Sequence, residues 1–90
     1  MEFQWDEAKR QKTIQERNVD LLKAARIFEN RVLISRDGRQ DYGELRYRAV
    51  GMLEEECFVV IYTERDGVIR LITAWKGGRD DRARYQASIA

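Results

Sequence analysis

Two segments near the start of the chain carry the spacing and end signals of helices. Asp6 is an N-cap residue ahead of Glu7–Arg17, a run of helix formers with few apolar positions, so we expect a surface helix that Asn18 ends. Asp20 can cap a second helix, in which apolar residues recur at i, i+3, i+4 and i+7. These residues are Leu21, Ala24, Ala25 and Phe28. Such a stripe is typical of a helix that packs on a core.

After the second helix, apolar and polar residues alternate with a period of two, which is typical of strands. The predicted strands are Val32–Ser35, Arg46–Met52, Cys57–Arg65 and Val68–Trp75. Asp66-Gly67 is a strong hairpin signal between the last two strands. Gly77-Gly78 ends the last strand, and a final helix is predicted from Asp80 or Asp81 toward Ile89.

The predicted order of two helices, four strands and one helix indicates an α+β fold. We expect the strands to form an antiparallel meander with the helices packed on one face. Phe3–Trp5 is left open between a short leading strand and a hydrophobic staple. A length of 90 residues predicts one domain, spanning 1–90.

Composition excludes several classes of protein. The chain has 17 Lys and Arg against 16 Asp and Glu, no histidine and one cysteine, Cys57. No stretch approaches the roughly 20 apolar residues of a membrane span, and the start lacks a secretory signal. An unpaired thiol favours a cytoplasmic location. Without histidine or a second cysteine we expect neither a transition-metal site nor a cofactor, so any chemistry must come from carboxylates, hydroxyls and basic side chains.

Alternation along the last strand predicts a basic face on the sheet. It places Arg70 on one side with Val68, Ile72, Ala74 and Lys76. A two-residue turn at Asp66-Gly67 sets Thr63 opposite Arg70, with Arg65 on the same face. Glu44, Arg46 and Arg48 share a side if the second strand begins that early.

Two interpretations of these arginines stay open. They can form the solvated face of an antiparallel sheet, or a surface that grips a phosphate chain. Four aromatic residues can likewise be core or can stack on bases. They are Tyr47, Tyr62, Trp75 and Tyr85. Cys57 is interpreted as a small buried hydrophobe, because no histidine can activate it as a nucleophile.

The order of several short motifs resembles the BrnT-type toxins of bacterial type II toxin–antitoxin systems. The motifs run from the N-terminus to the last helix. They are Phe3, Trp5, Asp6, Glu7 and Lys9; Ala24-Ala25 with Phe28; Gly43-Glu44 with Arg46; Val59-Val60 with Tyr62–Arg65; Arg70 with Ile72–Ala74; and Arg79, Arg82 and Tyr85. The resemblance implies a RelE-like α+β ribonuclease. It also implies inhibition by a BrnA-type antitoxin, with operator DNA bound only through the antitoxin complex.

Within that resemblance, the basic residues receive roles toward RNA. Arg46 and Arg70 are assigned to the phosphate, Lys76 is a second cation, and Glu44 is the candidate base that takes the proton of the ribose 2′-hydroxyl. The remaining candidates are contacts to the RNA backbone. They are Lys9, Arg65, Arg79 and Arg82.

The chain departs from the family's pattern at two places. Arg17-Asn18 stands where the family usually has His-Gly, and Trp75-Lys76 stands where it usually has Arg-Arg. Arginine does not replace histidine in proton transfer, and Lys76 lacks the bidentate geometry of arginine. These departures favour an alternative from another class, a BrnT-like module that binds an antitoxin or nucleic acid without cleaving RNA.

Overall fold

The computed structural model describes residues 1–39 and 41–89. Its sheet has five strands, and its helices include a short one that continues directly as a 3-10 turn. The strands are β1 (Glu2–Gln4), β2 (Val32–Arg36), β3 (Tyr47–Leu53), β4 (Glu56–Arg65) and β5 (Val68–Lys76). The helices are α1 (Glu7–Arg17), α2 (Leu21–Ala24) with its 3-10 turn Ala25–Glu29, and α3 (Arg79–Ile89). The predicted elements are therefore present, with bounds that differ by one or two residues at most ends.

The caps predicted for α1 and α2 are confirmed. The Asp6 carboxylate accepts the backbone N–H groups of Ala8 and Lys9 at 2.9 and 3.2 Å. Asn18 ends α1 with a φ of 55°, the left-handed conformation that asparagine tolerates. Asp20 accepts the N–H of Leu22 at 2.9 Å. These hydrogen bonds satisfy donors that the first turn of a helix leaves without partners.

The meander prediction is confirmed for four strands, and a fifth completes the sheet. The strand order is β1-β5-β4-β3-β2. Asp66 and Gly67 form the tight turn between β4 and β5, with φ values of 54° and 79°, as a primed hairpin turn requires. The leading segment is a strand, and β1 pairs with β5 in parallel.

Helices cover both faces of the sheet, so the prediction of helices on one face is wrong. We call the face of β4 that carries Phe58, Val60 and Tyr62 the back face; α2 and its 3-10 turn pack there. The front face carries Cys57, Val59 and Ile61, and Tyr85 of α3 packs on it. The hydrophobic residues of β4 are continuous because both of its faces are buried.

A bulge in β5 changes which residues share a face. Tyr62 pairs with Leu71, but Ile61 pairs with Thr73, so Ile72 is the extra residue. The predicted alternation holds as far as Arg70, which lies opposite Thr63. Beyond the bulge it is reversed.

The reversal redistributes the end of β5 between the two faces. Trp75 pairs with Val59 and joins the front face. Ala74 and Lys76 pair with Val60 and Phe58, on the back face. The prediction that Arg70, Ala74 and Lys76 share a side is therefore wrong.

No helix within residues 1–39 and 41–89 is both long enough and apolar enough to cross a bilayer.

Candidate functional site

Arg46 lies at the centre of a group of charged residues just before β3. Its guanidinium carbon is 3.8 Å from the centroid of the Tyr42 ring, and its Nε donates to Glu44 Oε2 at 3.2 Å. Gly43, with a φ of 73°, makes the turn that brings Glu44 back to Arg46. A cation over an aromatic face is held in place without losing its charge.

Glu44 lies between two arginines. Its Oε2 accepts from Arg46, and its Oε1 is 3.8 Å from Nη2 of Arg65. The side chain keeps 30% of its exposure, so one edge of the carboxylate still faces solvent. As a candidate base, Glu44 must share its lone pairs with these two cations.

Arg70 and Arg46 flank one buried threonine. Thr63 is the register partner of Arg70, and its hydroxyl donates to the carbonyl of Leu45 at 2.8 Å. Arg46 follows Leu45 directly, so the backbones at Arg46 and Arg70 lie on either side of the strand that carries Thr63, two strand spacings or roughly 10 Å apart. Within the described part of the chain, Arg70 makes no ion pair.

Lys9, on α1, belongs to the same region. Lys9 is exposed, but desolvation by its neighbours and the charge of Arg46 lower its pKa below the usual value. A lysine with a lowered pKa can exchange a proton nearer neutral pH than a free one. The sequence predicted only an RNA contact here. We call Lys9, Glu44, Arg46, Arg65 and Arg70 the basic cluster.

Lys76 lies away from the basic cluster. Its ammonium is 3.7 Å from Glu56 Oε2, and Lys23 contacts Oε1 of the same carboxylate at 3.2 Å. This group lies on the back face, beside Phe58. The bulge at Ile72 is the physical reason for the separation. The predicted catalytic role of Lys76 stays a prediction, without the neighbours expected for it.

Arg79 and Arg82 lie in the first turns of α3, at the other end of the sheet from Arg70. Arg82 donates to the carbonyl of Glu55 in the β3–β4 turn at 3.3 Å, and Arg79 is exposed. The structure therefore does not bring these two predicted RNA contacts together with the basic cluster.

Arg48, on the front face, is neutralised by α3. Its Nη2 donates to Asp81 Oδ1 at 2.7 Å, and Asp81 Oδ2 accepts the N–H of Gly78 at 3.0 Å. Burial acts to raise the pKa of Asp81, but these hydrogen bonds outweigh it and lower that pKa. The carboxylate therefore stays charged and holds Arg48.

A second group of basic residues surrounds Trp75. The guanidinium carbons of Arg17 and Arg39 lie 5.2 and 5.4 Å from the centroid of its ring. Arg39 is also paired with Asp37. Sequence analysis missed this group, because its members come from α1, the loop after β2, and β5.

The other aromatic residues and the cysteine are structural. Tyr62 and Tyr85 are buried, and Tyr47 packs against Tyr62 with ring centroids 5.5 Å apart. Cys57 is buried, as predicted, and that burial raises the pKa of its thiol. For these residues the structure supports the interpretation that they belong to the core.

Two depressions lie beside the basic residues. One, of about 680 Å³, is bordered by Arg36, Tyr42, Glu44 and Arg46. The other, of about 260 Å³, lies between α1 and Thr73 and is bordered by Lys9 and Arg17 among others. In residues 1–39 and 41–89, no three Cys, Asp or Glu side chains are grouped to hold a metal ion.

The sequence matches a known protein family. Residues 5–81 match the family described as "Ribonuclease toxin, BrnT, of type II toxin-antitoxin system". This match covers most of the 90 residues, including the basic cluster and Trp75. A search of curated proteins finds no match to the sequence.

Proposed function

Because the chain belongs to the BrnT family, the ribonuclease toxins of type II toxin–antitoxin systems, we propose that it cleaves RNA at the basic cluster. This proposal is supported by the positions of Arg46 and Arg70 on either side of Thr63, with Lys9 and Glu44 beside Arg46. Cations in fixed positions stabilise the charge that develops on a phosphate during cleavage.

The proposed reaction is attack by a ribose 2′-hydroxyl on the adjacent phosphorus. The 2′-oxygen forms a bond to phosphorus while a base takes its proton, and the bond from phosphorus to the 5′-oxygen breaks. The 5′-oxygen then takes up a proton, which leaves a 2′,3′-cyclic phosphate and a free 5′-hydroxyl. This route needs positioning, cationic stabilisation and proton transfer, which side chains can supply.

The roles follow from charge and contact. Arg46 and Arg70 carry the phosphate, and Arg65 adds a third guanidinium beside Glu44. Two groups are candidates for the base. Glu44 already accepts a hydrogen bond from Arg46, and the pKa of Lys9 is lowered by desolvation and by the charge of Arg46. The ionised carboxylate and the neutral amine can each take the 2′-hydroxyl proton.

The proposal extends to the partners that the family implies. A BrnA-type antitoxin would neutralise the protein, and the complex would bind operator DNA through the antitoxin. A RelE-like fold and action on cytoplasmic RNA belong to the same proposal. Growth arrest on expression, relieved by the co-expressed antitoxin, is the expected cellular result.

The direct test is cleavage of RNA by purified protein in the presence of EDTA. Removing one stabilising cation typically lowers a rate by about 100-fold, so we expect a loss of that size for Arg46→Ala and for Arg70→Ala. Arg26→Ala is the matched control, because Arg26 pairs with Glu29 on the 3-10 turn at the back face. Cleavage at the wild-type rate by both cluster variants would contradict the assignment.

The pH profile of cleavage separates the two candidate bases. A base acts only when unprotonated, so the rate rises with pH through the pKa of the group that serves. If Lys9 serves, the rise lies below the usual pKa of lysine, and Lys9→Gln removes it. Loss of cleavage at every pH in Glu44→Gln, with the wild-type rate and pH profile kept in Lys9→Gln, assigns the role to Glu44 instead.

The second candidate function is a module that binds RNA or an antitoxin without cleaving RNA. It is favoured by one observation, the engagement of both Glu44 oxygens with arginines. Wild-type protein that binds RNA, leaves it intact at every pH and is harmless on expression would establish this alternative.

A further inference from the structure

The ring of Trp75 brings together two guanidinium groups from distant parts of the chain. Arg17 is the last residue of α1, and Arg39 lies in the loop after β2. Their guanidinium carbons are 5.2 and 5.4 Å from the ring centroid, so they are separated by no more than the sum of these distances. Two like charges therefore share one neutral aromatic support.

Trp75 is a rigid support because the sheet fixes it. It pairs with Val59, which is fully buried, and it packs on the front-face core that contains Ile61 and Ile72. The bulge at Ile72 turns the ring to this face. A half-buried indole is the aromatic group that attracts cations most strongly.

Besides its contact with Trp75, the guanidinium of Arg39 is held by a buried carboxylate. Its Nε and Nη2 donate to the two oxygens of Asp37 at 2.8 and 3.0 Å. The Asp37 side chain is only 2% exposed, whereas the Arg39 side chain is 57% exposed. Hydrogen bonds from Arg39 outweigh the burial of Asp37 and lower the pKa of that carboxyl. The guanidinium is therefore anchored from beneath, with its outer edge toward solvent.

Arg17 keeps its charge available. It is exposed, and within the described part of the chain it forms no ion pair. It also borders the depression between α1 and Thr73, where Lys9 contributes another cation at the far end of the helix. This depression joins Arg17 to the basic cluster, since Lys9 borders the depression and belongs to the cluster.

We propose that Arg17 and Arg39, held on Trp75, form a second anion-binding subsite that grips RNA phosphates beyond the one being cleaved. This inference rests on the proposed function, because it takes RNA as the ligand of the front face. Guanidinium groups have a charge opposite to that of phosphate oxygens and a geometry that allows two parallel hydrogen bonds to them. The ring already contacts two cations, so it serves to position them rather than to stack on a base.

The test measures binding of a short 2′-O-methyl RNA, which cannot undergo attack by the 2′-oxygen, across a range of salt concentrations. Each phosphate contact to single-stranded nucleic acid contributes about 0.7 to the slope of log K against log salt. We therefore expect Arg17→Ala and Arg39→Ala each to weaken binding and to reduce the slope by about this amount. Arg26→Ala, with the same change in charge, is expected to leave the slope unchanged.

Trp75→Phe tests the support itself. Phenylalanine keeps an apolar ring for the core but attracts cations less than indole does. We expect binding to weaken by about two- to fivefold while the slope stays close to that of the wild type, since both charges remain. Circular dichroism confirms that each variant is folded before binding is compared.

The outcomes separate this inference from the proposed function. Wild-type protein that binds the modified RNA as described but leaves unmodified RNA intact overturns the nuclease and keeps the subsite. Wild-type protein that cleaves RNA, with slopes for Arg17→Ala and Arg39→Ala equal to that of Arg26→Ala, overturns the subsite. If Arg17→Ala and Arg39→Ala bind poly-glutamate less well than the wild type but bind RNA equally well, the two arginines bind an acidic protein partner. That result also overturns the RNA subsite.

Discussion

The basic residues on the two faces of the sheet differ in their ion pairing. On the back face, Lys23 and Lys76 share the carboxylate of Glu56, and both lie beside Phe58. On the front face Arg39, Arg46 and Arg48 are paired with carboxylates, whereas Arg17 and Arg70 form no ion pair within residues 1–39 and 41–89. The chain is close to neutral overall, so the uneven pairing, and not the net charge, makes one face a candidate surface for RNA.

The front face itself is divided in two. Near its α3 end, Arg48 is neutralised by Asp81, and Tyr85 fills the space above the strands. Toward Arg70 it is α1 that packs on β5, and this helix carries Lys9 and Arg17, so the charges there are less balanced.

The largest effect that separates the faces concerns stability. Phe58 is 2% exposed and lies at the centre of the back-face core. Phe58→Ala should lower the free energy of unfolding by about 3–5 kcal/mol, as measured by urea denaturation. Ile34→Ala, on edge strand β2 where the side chain is half exposed, is the control, with an expected loss of less than about 1 kcal/mol. Equal losses for the two variants would show that Phe58 is not in the core.

A smaller effect concerns the closed end of the front face. Asp81→Asn keeps the shape of the side chain but removes the charge that holds Arg48. We expect a loss of about 1 kcal/mol near pH 7, reduced by solvent because both side chains are partly exposed.

The same variant has a defined pH dependence. The pKa of Asp81 is lowered in the folded protein, so its contribution to stability is present above the unfolded pKa of about 3.9 and is lost as pH falls through the folded value. Wild type and Asp81→Asn should converge in urea denaturation at the lowest pH. A difference that stays constant with pH would exclude the ion pair as its cause.

The smallest effect is expected on the back face. Lys76→Ala removes one of two cations on an exposed carboxylate, so stability should change by less than about 0.5 kcal/mol. RNA cleavage and binding should match the wild type, because Lys76 lies on the face opposite Arg70. A loss of cleavage comparable with that of Arg70→Ala would restore Lys76 to the catalytic set that the sequence suggested.

Local signals account for the parts of the fold that the sequence predicts well. Asp6, Asn18 and Asp20 act through hydrogen bonds and backbone angles within a few residues. The hairpin turn at Asp66-Gly67 depends likewise on its own two residues. Such features can be recognised without knowing the rest of the structure.

The bulge and the Trp75 group depend on distant residues, and the sequence pattern does not reveal them. Nothing in Val68–Lys76 marks Ile72 as the extra residue, because every position near it suits a strand. Without the bulge, Trp75 would lie on the back face. Arg17 and Trp75, one residue from each of the two pairs at which we expect the chain to depart from the BrnT pattern, are in contact, and neither position alone indicates this contact.

The parallel pairing of β1 with β5 has a consequence for how the protein forms during translation. Glu2–Gln4 leave the ribosome before their hydrogen-bonding partners, Val68–Arg70, because two helices and three strands are made between them. A contact of such long sequence separation closes late and slows folding. In the nascent chain β1 therefore has no hydrogen-bonding partner until the β4–β5 hairpin has emerged.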